Sequence, residues 1–307
     1  MKTDELRFDD RDGQEVVVRI WAPDAEPNAV VQIAHGAVEH GARYERFAQA
    51  LTDAGMAVCA PDHRGHGLTA GSIERAGQTG PDGWSAIVDA FVHLTGMIEE
   101  THPGLPIVVL GHSMGSIVVQ QYLQTEASRV AAAILSGSFG TLGETEPLLA
   151  AIDAEIEANG PTAGSQTFGG MFVAFNEPFD GPDATGFEWL SRDQAEVQAY
   201  VDDPWSGSFE FSNEFVRAFV VGMEEIWRPE HEGRLPTDLP ILISSGDQDP
   251  AGGMGATTGV LVDRYRALGL DLTVMMYEGA RHELLNETNR DQVMADWVGW
   301  IQERLAG

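Results

Sequence analysis

Three residue types in one order carry the first hint of chemistry: a serine framed by glycines, then an aspartate, then a histidine. Gly111-His112-Ser113-Met114-Gly115 is a G-x-S-x-G pattern between an apolar run at 107–110 and a helical stretch at 117–123. A sharp strand-to-helix turn of this kind exposes a serine hydroxyl, and its glycines let strained backbone pack without a Cβ clash. A serine hydroxyl is a weak nucleophile at neutral pH and needs a base within hydrogen-bond reach, itself oriented by a carboxylate. Gly246-Asp247-Gln248-Asp249-Pro250 follows one later apolar run, and Gly279-Ala280-Arg281-His282 follows another. His231 is the only other histidine downstream of Ser113, so His282 is the candidate base. Asp249 lies further beyond its strand than Asp247 and is the candidate acid, while Asp247 reads as a turn residue.

Acyl transfer through a serine also needs donors for the oxyanion, usually two backbone N–H groups. Met114, the residue after the serine at a helix N-terminus, supplies one. The loop His35-Gly36-Ala37 after the run at 29–34 supplies the other, through the Ala37 amide. His35, His40, His63 and His66 lie in two loops on the same edge, but their spacing matches no metal-ligand pattern. No metal and no cofactor are expected, and His63 and His66 read as braces beneath the serine.

These loops need a sheet to hold them. Apolar runs at 29–34, 56–60, 107–110, 131–135, 241–244 and 272–277 alternate with segments of helical period, the mark of βαβ units and a parallel sheet. Two short strands at 6–8 and 15–21 precede them across Asp12-Gly13. The expectation is an α/β fold with a mostly parallel eight-stranded sheet covered by helices on both faces. Each candidate residue then falls at the carboxyl end of a strand, where open parallel sheets bind ligands.

The alternation breaks between residues 137 and 235, a stretch far longer than an ordinary loop. Residues 1–136 and 236–307 therefore read as the core and 137–235 as an inserted cap. Helical stretches are expected at 147–158 and 214–227, with Ser212 as the N-cap of the second. The insertion also holds Phe168, Met171, Phe172, Phe175 and Phe179, while Phe215, Phe219 and Met223 share one helical face. Phe172, Phe175, Phe215, Phe219 and Met223 are candidate substrate contacts. The alternative for the helical face is a small core internal to the cap.

Composition removes other classes of function. The 307 residues are 43% hydrophobic, too apolar for disorder. The chain carries 48 Asp and Glu against 18 Lys and Arg, a net charge of −30, with Lys2 its only lysine. Such a surface repels nucleic acid and anionic membranes. With no apolar leader and no apolar stretch of spanning length, stable membrane insertion is not expected and a cytoplasmic location is the default. Cys59, the single cysteine, cannot form an internal disulfide and reads as a buried, inert thiol.

Five motifs in order, HGAVEHGARY (35–44), DHRGHG (62–67), GHSMGS (111–116), GDQDP (246–250) and GARHELLNE (279–287), carry a family resemblance. The chain resembles the monoacylglycerol lipase and lysophospholipase-like branch of the α/β-hydrolases, grouped with serine aminopeptidase-type domains. The resemblance implies Ser113 as nucleophile, Asp249 as acid, His282 as base, and Ala37 with Met114 as oxyanion hole. It departs at Val38, where close relatives often have Gly, and at Ser116. The implied substrate is a monoacylglycerol, a lysophospholipid or a similar medium- or long-chain ester. Amide hydrolysis by the same triad is an alternative, with Glu188, Asp193, Glu196, Asp202 or Asp203 holding a substrate ammonium. Acyl transfer and a non-catalytic binding module are the others.

Overall fold

The computed structural model of the chain describes residues 1–207 and 209–306. Eight strands form one sheet: β1 (Lys2–Asp9), β2 (Glu15–Ala22), β3 (Ala29–Ala34), β4 (Met56–Pro61), β5 (Ile107–His112), β6 (Ala132–Ser136), β7 (Ile241–Gly246) and β8 (Leu272–Tyr277). Their order is β1-β2-β4-β3-β5-β6-β7-β8, antiparallel at β1/β2 and β2/β4 and parallel elsewhere. β3 to β7 are buried along their whole length, as unalternating apolar runs require. β1 runs well past the expected residues 6–8. It is an exposed edge strand paired in register from Lys2↔Ala22 to Asp9↔Glu15, so backbone bonds rather than apolar period define its length.

Helices cover both faces. On one, α1 (Glu45–Asp53) packs on α10 (Arg290–Leu305) through Phe47, Leu51, Trp297 and Ile301. On the other lie α2 (Gly83–Thr101), α3 (Met114–Glu126) and α9 (Ala256–Ala267). Between β6 and β7 the chain forms α4 (Glu146–Asn159), α5 (Gln166–Asn176), α6 (Gln194–Asp202), α7 (Asn213–Ile226) and the single turn α8 (Pro229–Glu232). No helix among the described residues is long and apolar enough to cross a membrane.

α7 corrects two expectations. Its apolar face joins the same cluster as Val30, Phe91 and Ile117, packed on α2 and α3, so it belongs neither to a separate cap core nor wholly to a substrate pocket. Ser212 does occupy the N-cap position, but among the described residues its hydroxyl makes no cap bond and is buried without a partner. The first-turn N–H groups of Asn213 and Glu214 donate instead to the carbonyls of Ala163 and Pro161, which makes a side-chain cap redundant.

From β3 the chain goes to β4 on one side and, after α2, to β5 on the other, with Ala34 opposite Gly111. The strand order reverses there. A crevice opens at the carboxyl ends of β3 and β5, and the loops carrying His35-Gly36-Ala37 and Ser113 flank it.

Candidate active site

Ser113 is the single residue between β5 and α3, and its backbone adopts φ 52°, ψ −120°, a conformation L residues rarely hold. The turn is held by its contacts: Ser113 N–H donates to the Ser136 carbonyl at 2.9 Å, and Ser116 Oγ donates to the Ser113 carbonyl at 2.6 Å. A Cβ on Gly111 would lie 2.3 Å from the Gly115 carbonyl oxygen, and one on Gly115 would lie 2.0 Å from that of Ala34. Both glycines are therefore demanded by close backbone approach.

The loops after β7 and β8 bring Asp249 and His282 together. His282 Nδ1–H donates to Asp249 Oδ2 at 2.9 Å, with both side chains essentially inaccessible. Asp249 Oδ1 accepts from the Ala251 N–H at 2.9 Å. Burial alone would push Asp249 up, but the neighbouring His282 and its bond outweigh that and hold the carboxyl below its ordinary range. Burial pulls His282 down, and the Asp249 charge and bond overcome it, leaving the imidazole above its ordinary value. Asp247 does the work of a turn, its Oδ1 accepting from the Gly279 N–H at 2.8 Å.

Ser113, His282, Ala37 and Met114 line one cavity of ≈ 260 Å³, small for a ligand site. Among the described residues, Ser113 Oγ makes no hydrogen bond to the His282 ring. The N–H groups of a helix's first turn, Met114 among them, have no intrahelical acceptor. Phe172, Phe175 and Phe219 line the cavity with Phe168 and Met171. Phe215 and Met223 do not. They are 0% and 2% exposed inside the main core, because the buried face of α7 is wider than the part that meets the cavity. None of Glu188, Asp193, Glu196, Asp202 and Asp203 lines it either. Glu188 caps the 185–186 turn, Asp193 pairs with Arg290, Glu196 with Arg46, Asp203 with His40, and Asp202 accepts from Gln198.

Three of the loop histidines pack ring to ring. His35 Nδ1–H donates to the Gly36 carbonyl at 2.8 Å while its Nε2 accepts the His63 N–H at 2.9 Å, which fixes a neutral tautomer. The rings of His63 and His66 pack against it. Burial drives His35 well below the ordinary imidazole value, and lowers His63 to about 3, His66 to about 4 and His112 to about 3. Burial likewise pushes the Cys59 thiol up to about 12, so it stays protonated.

Two features of the site were invisible in the sequence. The first is a buried ion network. Arg43 Nη1 and Nη2 donate to the two carboxylate oxygens of Glu283 at 2.5 and 2.7 Å, and Nη1 also donates to Glu39 Oε2 at 2.7 Å. Glu39 Oε1 accepts from the Gly36 N–H at 2.5 Å and the Tyr44 hydroxyl at 2.9 Å. The loop of Gly36 and Ala37 is thereby tied to the residue after His282. Burial would raise Glu283, but Arg43 prevails and holds it at about 2, whereas burial pushes Glu39 up against the pull of the same guanidinium. The i, i+4 spacing of Glu39 and Arg43 is the one available signal, and nothing local announces a partner 240 residues away.

The second is Trp189. Its ring packs against His282, tilted by 36° with centroids 4.9 Å apart, and its carbonyl accepts the His282 N–H at 3.3 Å. Leu190 does the same for Glu283 at 2.8 Å. The segment between β6 and β7 thus packs directly on the histidine loop.

Comparison with known proteins identifies the family. The family model described as serine aminopeptidase, S33 (Hydrolase_4), matches residues 25–289. A monoacylglycerol lipase of Mycolicibacterium smegmatis is 32% identical over 297 residues, 95% of each chain. The monoglyceride lipase of Homo sapiens is 28% identical over 299 residues, 96% of this chain and 89% of that one. A carboxyl esterase from Bacillus coagulans, solved in complex with glycerol, superposes with a TM-score of 0.89 at 27% identity over 99% of both chains. The chain belongs to the Hydrolase_4 (serine aminopeptidase, S33) family of α/β-hydrolases, and its kinship within that family is with carboxylic ester hydrolases.

Proposed function

We propose that the protein is a serine esterase that cleaves a monoacylglycerol, lysophospholipid or similar medium- to long-chain acyl ester by way of an acyl-enzyme. The buried His282–Asp249 pair, opening on the same cavity as the strained Ser113, carries this reading. Ser113 Oγ attacks the ester carbonyl while His282 Nε2 takes the hydroxyl proton. Asp249 holds the ring in the tautomer that presents Nε2 and stabilises the imidazolium that forms. The N–H groups of Ala37 and Met114 receive the oxyanion. As the tetrahedral adduct collapses, the C–O bond to the alcohol breaks and His282 gives its proton to the departing oxygen. Water, deprotonated by His282, then attacks the acyl-serine; as the acyl C–Oγ bond breaks, His282 returns the proton to Ser113 Oγ, releasing the carboxylic acid and regenerating the free serine.

The acyl chain lies against the aromatic wall of Phe172, Phe175 and Phe219, beneath the segment 137–235 acting as the cap. A fluorophosphonate probe tests the nucleophile: labelling of wild type and none of Ser113→Ala is expected. Absence of labelling in folded wild-type protein would refute the reading. A panel of monoacylglycerols and nitrophenyl esters is expected to turn over faster than aminoacyl nitroanilides. The reverse order would make the protein an amidase on the same residues.

A further inference from the structure

The polar side of the cavity has a composition that the ester-hydrolase reading leaves unexplained. Among the described residues lining it, the only formally charged side chains other than histidines are two carboxylates, Glu39 and Glu283. None of the described residues lining it is a lysine or an arginine. Arg43 lies behind these carboxylates, and its guanidinium is already committed: both terminal nitrogens donate to Glu283, one also to Glu39, and its Cζ lies 4.8 Å from the Tyr200 ring centroid. One cation therefore faces two carboxylates, with none of its charge free to meet a ligand.

The cavity's aromatic residues form one contiguous wall, Phe168 on Phe172, Phe172 on Phe175, and both on Trp189. An acyl chain is drawn to that wall by burial of apolar surface. Glu39, Glu283 and Tyr200 are joined through Arg43 and line the same cavity. Glu283 is the chain neighbour of His282, whose ring must reach the departing alcohol oxygen.

We propose that Glu283, with Glu39, makes the cavity beside His282 a filter on the charge of the departing alcohol. It admits esters of uncharged or cationic alcohols and rejects those whose alcohol carries a phosphate or carboxylate. The inference rests on the ester-hydrolase reading and narrows it to esters of a neutral or cationic alcohol, which removes lysophospholipids from the substrates named there. An anionic alcohol entering this compartment loses hydration, meets no free cation, and stands against carboxylates in a site where salt screens poorly. Glu283 is fixed as an anion by its bidentate partner, so the filter operates across the whole neutral range.

The test compares three esters of one acyl chain, octanoyl glycerol, octanoylcholine and octanoyl glycerol 3-phosphate, each below its aggregation threshold. For wild type, kcat/KM for the glycerol and choline esters is expected to exceed that for the phosphate ester by at least about 100-fold, since like-charge juxtaposition costs several kcal/mol. In Glu283→Gln the remaining Glu39 is balanced by Arg43, and the gap between the glycerol and phosphate esters is expected to narrow about tenfold or more. The ratio is taken within one variant, so a general loss of activity cancels. Glu283→Leu serves as the second variant if Glu283→Gln does not fold. A phosphate ester turned over by wild type within threefold of the glycerol ester overturns the filter while leaving the esterase intact. An unchanged ratio in a folded, active variant removes Glu283 from the role. If no ester is cleaved and Ser113 is not labelled, the esterase reading itself fails.

Discussion

Removing Arg43 is the most informative single perturbation of this structure. The Arg43 side chain is 11% exposed, and its partners Glu39 and Glu283 are 4% and 7% exposed. Arg43→Met keeps most of the aliphatic stem but strands two carboxylates without a cation. Breaking a buried ion pair by removing one partner costs about 3–5 kcal/mol. At about 2 °C per kcal/mol for a chain of this size, the melting temperature at pH 7 should fall by roughly 5–10 °C.

The pH dependence separates electrostatics from lost packing. In wild type, Arg43 depresses Glu283 to about 2, so its contribution is complete above the unfolded carboxyl value and is lost as pH falls through the folded one. In the variant, burial without a cation raises both carboxyls above their unfolded values. Folded protein then binds protons more readily than unfolded chain, and stability is recovered as pH falls. The difference between wild type and variant should therefore shrink between pH 7 and pH 5, as followed by thermal melts in matched buffers. A loss under about 2 °C at pH 7 would mean that the network behaves as an exposed pair worth about 0–1 kcal/mol. A full loss that does not change with pH would assign it to packing. Either result refutes the reasoning.

Other consequences are equally direct. Asp249→Asn should lower kcat by about 10⁴ through the wrong His282 tautomer, while Asp247→Asn should stay within a few-fold of wild type, and equal damage from both would undo the distinction. His35, His63, His66 and His112 are buried with values below that of the unfolded chain, so their contribution is present above about 6.5 and lost as pH falls towards their folded values. His282, shifted the other way, offsets part of it. Unfolding free energy should accordingly decline between pH 6.5 and 5 with uptake of roughly two to three protons, and a flat profile in urea titrations would contradict the assignment. Phe215→Ala should cost about 3–5 kcal/mol of stability and leave chain-length preference unchanged. Phe172→Ala should instead change the kcat/KM ratio of long to short acyl esters. A Phe215 variant with normal melting and altered chain-length preference would return that ring to the cavity.

Much of the architecture was legible because it is written in local pattern. Unalternating apolar runs mark β3 to β7, which are covered on both faces, and a sixth run marks β8, a partly exposed edge strand. The elbow at Ser113 is local too, since Gly111 and Gly115 answer to a turn only five residues long. Asp249 and His282 were readable as the residues just past two strand ends, and their contact follows from β7 and β8 being neighbours in the sheet. Where the reading failed, packing rather than period decided. The residues of β1 are mostly exposed and carry no apolar signature beyond Leu6 and Phe8. Ser212 has the chemistry of a cap, but the helix it precedes is satisfied by the carbonyls of a neighbouring loop.

The sequence by itself determined the fold class and the order serine, aspartate, histidine along three strand ends, because strand period, turn glycines and chain order are properties of neighbouring residues. Only the tertiary structure decided which side chains of one helical face look into the cavity: Phe219 does, while Phe215 and Met223 enter the core. It alone paired Arg43 with Glu283 across 240 residues and laid Trp189 on His282. Those contacts depend on where two loops meet above the sheet, and no spacing along the chain encodes a meeting in space.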